Sequence, residues 1–346
     1  MAITAPPRPA LRIGGLELTS QVLIAPMVGI TDAPCRQLAV EMGAGLVSTE
    51  MVASEAVVRS LDASLHLLDF PAGVGPAGAQ LVGRDPVVMA AAAQVCVERG
   101  AQTVDVNLGC PVRKVVGRGS GAALARDIKA TVDVLAAMVT AVDVPVTAKM
   151  RLGWDAQSIN APELARALAG VGVAAVTVHG RTRCQGYSGE ADWAEIARVK
   201  EAVDIPVIGS GDVEDVRLLE RRIRAGVVDG VVIARGMLGN FWMIRQATHL
   251  LATGELLADL DFASRMALCR RHLGLLVAYH GAQRALRIGR KYVAWSIKGC
   301  NGAARLRAMV QDLDSLEDLD TIFDLALSAG LGAEGWYRPI FSSGEG

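Results

Sequence analysis

The six cysteines of this 346-residue sequence, at positions 35, 96, 110, 184, 269 and 300, include no Cys-x-x-Cys pair. That spacing excludes a dense disulfide framework and argues against structural zinc or an iron–sulfur cluster. It favours reduced thiols in a cytoplasmic protein. Aromatic residues are scarce, with five Trp, four Tyr and five Phe against 37 Gly. That balance suits many tight strand–helix connections better than a β-sandwich. No apolar run approaches the roughly 18 residues that span a bilayer. Met1–Arg12, rich in Pro and Ala, lacks the apolar segment of a secretory signal. Acidic residues are missing altogether between Phe262 and Gln311, where ten Arg or Lys stand. The chain as a whole carries a formal charge of −1, so a local basic segment is hidden by an acidic remainder.

What is present is a rhythm. Gly43-Ala44-Gly45-Leu46-Val47, Gly100-Ala101-Gln102-Thr103-Val104, Gly172-Val173-Ala174-Ala175-Val176 and Gly226-Val227-Val228-Asp229-Gly230-Val231 each read as a helix-terminating glycine feeding a strand. Short apolar runs begin near positions 23, 46, 78, 104, 145, 175, 206 and 230, with helical patterns between them. Eight such units predict a closed (β/α)₈ TIM barrel over residues 13–250, an open doubly wound sheet being the alternative. The strand ends fall at Met27, Glu50, Gln80, Asn107, Lys149, His179, Ser210 and Arg235. In a barrel these ends share one rim, where active sites are built.

The acid-free segment follows the last strand and predicts a small all-helical domain over 255–330, with flexible tails at 1–12 and 331–346. At 100° per residue, Arg284, Arg287, Lys291 and Lys298 share one helical stripe opposite Leu286, Val293 and Ile297, with Tyr292 and Trp295 on its flank. Solvated helix faces usually mix signs. A stripe of one sign, with Arg290 beside it, suits a phosphate backbone.

The strand Val104–Asn107 runs directly into Gly109-Cys110-Pro111, placing a thiol just past a strand end. Cys110 is therefore the catalytic candidate, whereas Cys35, Cys96, Cys269 and Cys300 read as small apolar core residues. Ala25-Pro26-Met27-Val28-Gly29-Ile30-Thr31-Asp32, Asn107-Leu108-Gly109-Cys110-Pro111, Lys149-Met150-Arg151-Leu152-Gly153-Trp154, His179-Gly180-Arg181-Thr182-Arg183, Gly211-Asp212 and Arg287-Ile288-Gly289-Arg290-Lys291 follow in order. Together, over roughly Ile24 to Ala308, they resemble the tRNA-dihydrouridine synthase family, most closely its bacterial B-type branch.

The resemblance implies an FMN-binding barrel, a helical tRNA-binding domain and reduction of a uridine in tRNA, with NADPH or NADH as electron source. It implies hydride delivery to C6 of uracil and a proton from Cys110 to C5. Thiols are chiefly protonated at neutral pH, as a general acid must be. By the same resemblance Lys149 lies at the flavin N1–O2 edge, Gln80 at its pyrimidine edge, and His179 against flavin or uracil. Asn107 and Arg151 would hold the uracil edge. The backbone of Pro26, Met27 and Val28 would line the ring. Gly209-Ser210-Gly211-Asp212, leading into a helix N-terminus, and Ala234-Arg235-Gly236 would cradle the FMN phosphate. Ser210 and Ala234 stand where the family commonly has Asn and Gly, so backbone donation matters more there than the side chains. Arg113, Lys114, Arg181 and Arg183 lie on rim loops within expected reach of tRNA phosphates, and no metal, no membrane and a monomer complete the expectation. Two other readings stand beside it: a flavin barrel acting on a free pyrimidine, as dihydroorotate-type oxidoreductases do, and a catalytically silent RNA-binding protein.

Overall fold

The computed structural model describes residues 11–331. Of the tails expected at 1–12 and 331–346, residues 1–10 and 332–346 lie outside the described residues. A short hairpin, β1 (Arg12–Ile13) with β2 (Leu16–Glu17), precedes eight parallel strands. These are β3 (Val22–Ile24), β4 (Val47–Ala53), β5 (Ala77–Val82), β6 (Thr103–Leu108), β7 (Val146–Arg151), β8 (Ala175–His179), β9 (Val207–Ser210) and β10 (Gly230–Ile233). From β4 each pairs with the next, and β10 pairs back to β3. The seam between β3 and β4 is closed by Ile24 N–H to Leu46 O at 3.0 Å and Gly45 N–H to Val22 O at 2.8 Å. The sheet is thus a closed (β/α)₈ barrel, and its strands begin within one residue of the eight apolar runs.

The strands read as continuous apolar runs because their outer face lies under helices. Val104, Val106 and Leu108 of β6, Ala148 and Met150 of β7, and Val176 and Val178 of β8 are all buried in that outer core. Alternate residues point inward, which is why polar groups can stand in the same strands. Asp85, Asp127, Asp192 and Asp215 each cap a barrel helix by accepting from its first N–H groups. The N-terminal end of the barrel is plugged by the hairpin. Leu11, Ile13 and Leu18 pack there on Leu23, Leu46, Ala175, Ile208 and Val232. Leu11 and Arg12, expected in a flexible tail, belong to this plug; its two strands are too short to show a period.

After the last barrel helix, Trp242–Thr253, comes a bundle of four helices, Phe262–His280, Ala282–Ser296, Ala303–Gln311 and Leu316–Ala329. It has its own core, including Met266, Leu276, Val293, Val310 and Phe323. The bundle docks on the barrel through polar contacts. Tyr279 Oη donates to Asp69 at 2.6 Å, Arg271 pairs with Glu41 at 2.6 Å, and His280 meets Asp32 at 3.0 Å. Among the described residues no helix is long and apolar enough to cross a membrane.

Candidate active site

Asp105 and Asn107 alternate inward from β6 and organise the floor of the barrel mouth. Asp105 accepts from Gln80 Nε2 and from Thr147 Oγ1, both at 2.7 Å. Asn107 Nδ2 donates to Gln80 Oε1 at 2.8 Å, and Asn107 Oδ1 accepts from the N–H groups of Gly109 at 3.1 Å and Cys110 at 2.8 Å. A hydrogen-bonded chain therefore runs from an enclosed carboxylate to the backbone of the catalytic candidate. Cys110 is half-buried on the rim; Cys35, Cys96, Cys269 and Cys300 are buried, as small core residues should be. Asp105 was not singled out from the sequence. Its signal was available, as an acid in an apolar strand two residues before Asn107 and so on the same face.

Opposite this floor the site is cationic. Burial pushes the Lys149 ammonium down to about 8, nearby Arg151 adds to the effect, and Asp105 opposes it. Burial also holds His179 well below its ordinary value, and Lys149, Arg151, Arg181 and Arg235 push it further the same way. His179 is accordingly neutral at physiological pH. Several positive groups with few acids among them make a site for an electron-rich or anionic ligand. Tyr187, also missed from the sequence, stands exposed above it. Its ring lies 4.7 Å from the Arg235 guanidinium, 5.6 Å from that of Arg151 and 6.3 Å from the His179 ring. A lone Tyr in a glycine-containing rim loop was its only sequence signal.

Several arginines are engaged by the protein's own groups. Arg151, expected at the uracil edge, is buried and donates to Gly109 O at 3.0 Å, Thr182 O at 2.9 Å and Gly186 O at 2.8 Å. It braces the Cys110 loop against the loop after β8. Arg181, expected on tRNA, is 2% exposed and pairs with Asp212 at 2.9 Å. Arg183 stacks on Trp154 at 4.6 Å and reaches Pro111 O at 3.5 Å. Arg113 and Lys114 remain exposed on the rim.

The segments expected to cradle a phosphate keep their backbone turns but not the helix N-terminus. Asp212 has φ +50°, and its carboxylate is committed to Arg181 and to the Ala191 N–H at 2.7 Å. Gly211 has φ +114°, and a Cβ there would strike Ala191 and crowd His179, so only glycine fits. Ser210 is buried. The helix that follows, Val216–Arg224, already has Asp215 on its first N–H groups, so it offers no open N-terminus. Instead Arg235–Met237 forms a short 3₁₀ turn directly after Ala234. At the front of the mouth Pro26 and Met27 are partly buried, and Val28 is 69% exposed.

On the basic helix Ala282–Ser296 only Arg284 and Arg287 are exposed as expected. Tyr292 is 2% exposed and donates to Ile30 O at 2.9 Å, so it is core and not flank. Lys291 donates to Gly29 O of the barrel, and Arg290 donates to Leu313 O at 2.9 Å. Lys298 lies beyond the helix end. The acid-free segment thus spends part of its charge across element boundaries, on acids and carbonyls outside it. Among the described residues no three His, Cys, Asp or Glu side chains converge as metal ligands do.

Comparison with solved structures agrees with the barrel. An old yellow enzyme homologue from Zymomonas mobilis superposes with a TM-score of 0.50 at 13% identity, over 74% of this chain and 94% of that one. Histamine dehydrogenase from Rhizobium sp. superposes with a TM-score of 0.54 at 13% identity, over 79% and 51%. Sequence relatives are nearer. The tRNA-dihydrouridine synthase B of Xanthomonas campestris is 39% identical over 89% of this chain and 92% of its own length. A probable tRNA-dihydrouridine synthase of Rickettsia bellii is 42% identical over 87% and 92%. The profile of the dihydrouridine synthase (Dus) family matches residues 23–328, and the chain belongs to that family.

Proposed function

We propose that the protein is an FMN-dependent, cytoplasmic tRNA-dihydrouridine synthase that takes electrons from NADPH or NADH and saturates the 5,6 bond of a uridine. The observation that carries this reading is the pairing of a rim thiol, held by Asn107, with a cationic wall of Lys149, Arg151, Arg181 and Arg235 around a neutral His179. The residues suit a flavin. An ammonium depressed by burial gains most from an anionic neighbour, and the N1–O2 edge of reduced flavin supplies one. Gly211, which tolerates no Cβ, and the turn at Ala234–Arg235 leave backbone N–H groups for a phosphate.

A flavin bound here would supply hydride for C6 of uracil. The protein's own groups do the rest. Asn107 and the exposed ring of Tyr187 orient the base, and Cys110 Sγ gives its proton to C5 as the C5–H bond forms. Lys149 stabilises negative charge at the ring edge. Arg151 acts by holding the Cys110 loop in place. Arg113, Lys114, Arg284 and Arg287 are the exposed cations suited to the RNA backbone. A free-pyrimidine oxidoreductase has no use for the last two.

Mass-spectrometric mapping of tRNA from cells with and without the protein tests the reading. We expect one uridine position to lose dihydrouridine when the protein is absent. The purified protein is expected to be yellow, absorbing near ~450 nm as oxidised isoalloxazine does. An unchanged dihydrouridine map, or a protein that stays colourless with FMN added, overturns it.

A further inference from the structure

The turn that follows β3 is held from two sides by groups that its own chain segment does not contain. Gly29, at φ +75°, sits at its apex. Its N–H donates to Glu50 Oε2 at 2.5 Å, and its C=O accepts from Lys291 Nζ. Glu50 belongs to the barrel. It lies in β4 where the ladder to β5 slips between Ser48 and Met51, and such a bulge re-aims a side chain. Lys291 belongs to the helical bundle. The next carbonyl, Ile30 O, takes the Tyr292 hydroxyl of the same bundle helix at 2.9 Å. Glu50 is 8% exposed, and Lys291 is half-buried. Burial pushes the Glu50 carboxyl up and the Lys291 amine down, while each group opposes the other's shift. A half-buried lysine already aimed at a loop carbonyl is a poor ligand for an RNA phosphate.

We infer that Lys291 and Glu50 are a positioning pair that clamps the Val28–Ile30 turn between bundle and barrel, and that Lys291 is not a tRNA contact. The inference rests on the proposed reading only where it names the consequence. Pro26, Met27 and Val28, the segment assigned to flavin, enter this turn directly, so the bundle helps to set the cofactor site. Arg287 lies one helical turn before Lys291 on the same helix. RNA held on Arg284 and Arg287 and the clamp on Gly29 therefore share one rigid element.

The test uses the full chain stripped of flavin, with FMN as the probe. Lys291→Met is expected to weaken FMN affinity on the order of tenfold, the usual scale for losing a charged hydrogen bond. Lys291→Arg should restore most of the loss, and Lys291→Met combined with Glu50→Gln should cost less than the two changes summed. Amide exchange over Gly29–Thr31 should accelerate in Lys291→Met without FMN present. The salt dependence of tRNA binding should keep its slope in Lys291→Met, and fall by about one to two in Arg284→Ala with Arg287→Ala. Unchanged FMN affinity together with a reduced salt slope would make Lys291 a phosphate ligand and overturn the inference. Unchanged exchange at Gly29–Thr31 overturns it equally. If the parent chain binds no FMN, the proposed function fails while the exchange measurement still decides the clamp. Should Lys291→Met not fold, Glu50→Gln reads the same turn from the barrel side.

Discussion

Cys110→Ala is expected to keep its flavin and lose dihydrouridine formation by about 10²- to 10⁴-fold, the range that general acids contribute. The expectation follows from what holds the thiol and what does not depend on it. The Asp105–Gln80–Asn107 chain ends on the Cys110 N–H, a main-chain contact that alanine retains. The loop stays braced by Arg151 on Gly109 O, and no other hydrogen bond of that floor needs the sulfur. The change therefore removes a proton donor from an otherwise intact mouth. Single-turnover reaction of reduced enzyme with tRNA, followed by mass spectrometry, measures the loss. Flavin absorbance of the same sample measures retention. Cys184, the exposed cysteine, is the control, and Cys184→Ala should react at the parent rate. Parent activity in Cys110→Ala would remove this thiol from the chemistry.

Lys149→Met should move stability and function in opposite directions. Burial brings the Lys149 amine down to about 8, against about 10.4 in an unfolded chain. Between those values the unfolded chain binds the extra proton, so the flavin-free protein gains stability as pH rises from about 8 to about 10.4. Below pH 8 the buried charge is a standing penalty of about 3 kcal/mol. Methionine fills similar space without it. The variant free of flavin should thus melt higher than the parent at pH 7, and the difference should shrink as pH approaches 10. Its turnover should fall by about 10²-fold or more, because charge at the flavin edge loses its counter-ion in a site of low dielectric. Paired thermal melts across pH, with and without FMN, check the first claim, and flavin reduction by NADPH checks the second. A variant that melts lower at pH 7 would mean that Lys149 is stabilised by partners outside the flavin site.

The barrel was legible because its signal is local and repeated. Four of the eight strands follow a glycine that ends a helix, and the runs stay largely apolar because helices cover their outer face. The meeting of Cys110, Asn107, Gln80, Lys149 and His179 at one mouth was legible from the same count, since the strand ends of a barrel share one rim. The arginines were not. A guanidinium at 151 or 181 looks the same whether it meets a phosphate or a carbonyl. Its partners, Thr182 and Gly186 for one and Asp212 for the other, come from separate loops whose approach only the closed barrel determines. The basic helix failed in part by the same rule. Its stripe was measured by angle from the helix axis, and Lys291 turned out to lie where the bundle meets the barrel. Asp105 escaped notice because its value lies in contacts to Gln80 and Thr147 from neighbouring strands.

The braces of Arg151 and Arg181 also decide who moves. Both guanidiniums are buried, and between them they tie the Cys110 loop, the loop after β8 and the loop after β9 into one frame. A mouth fastened at so many carbonyls has little room to open or fold over its substrate. Under the proposed reading the conformational work then falls on the RNA, whose uridine must leave its stack and enter a seat already formed. Such an enzyme would select among uridines by how readily each one unstacks, before any contact with the base is made.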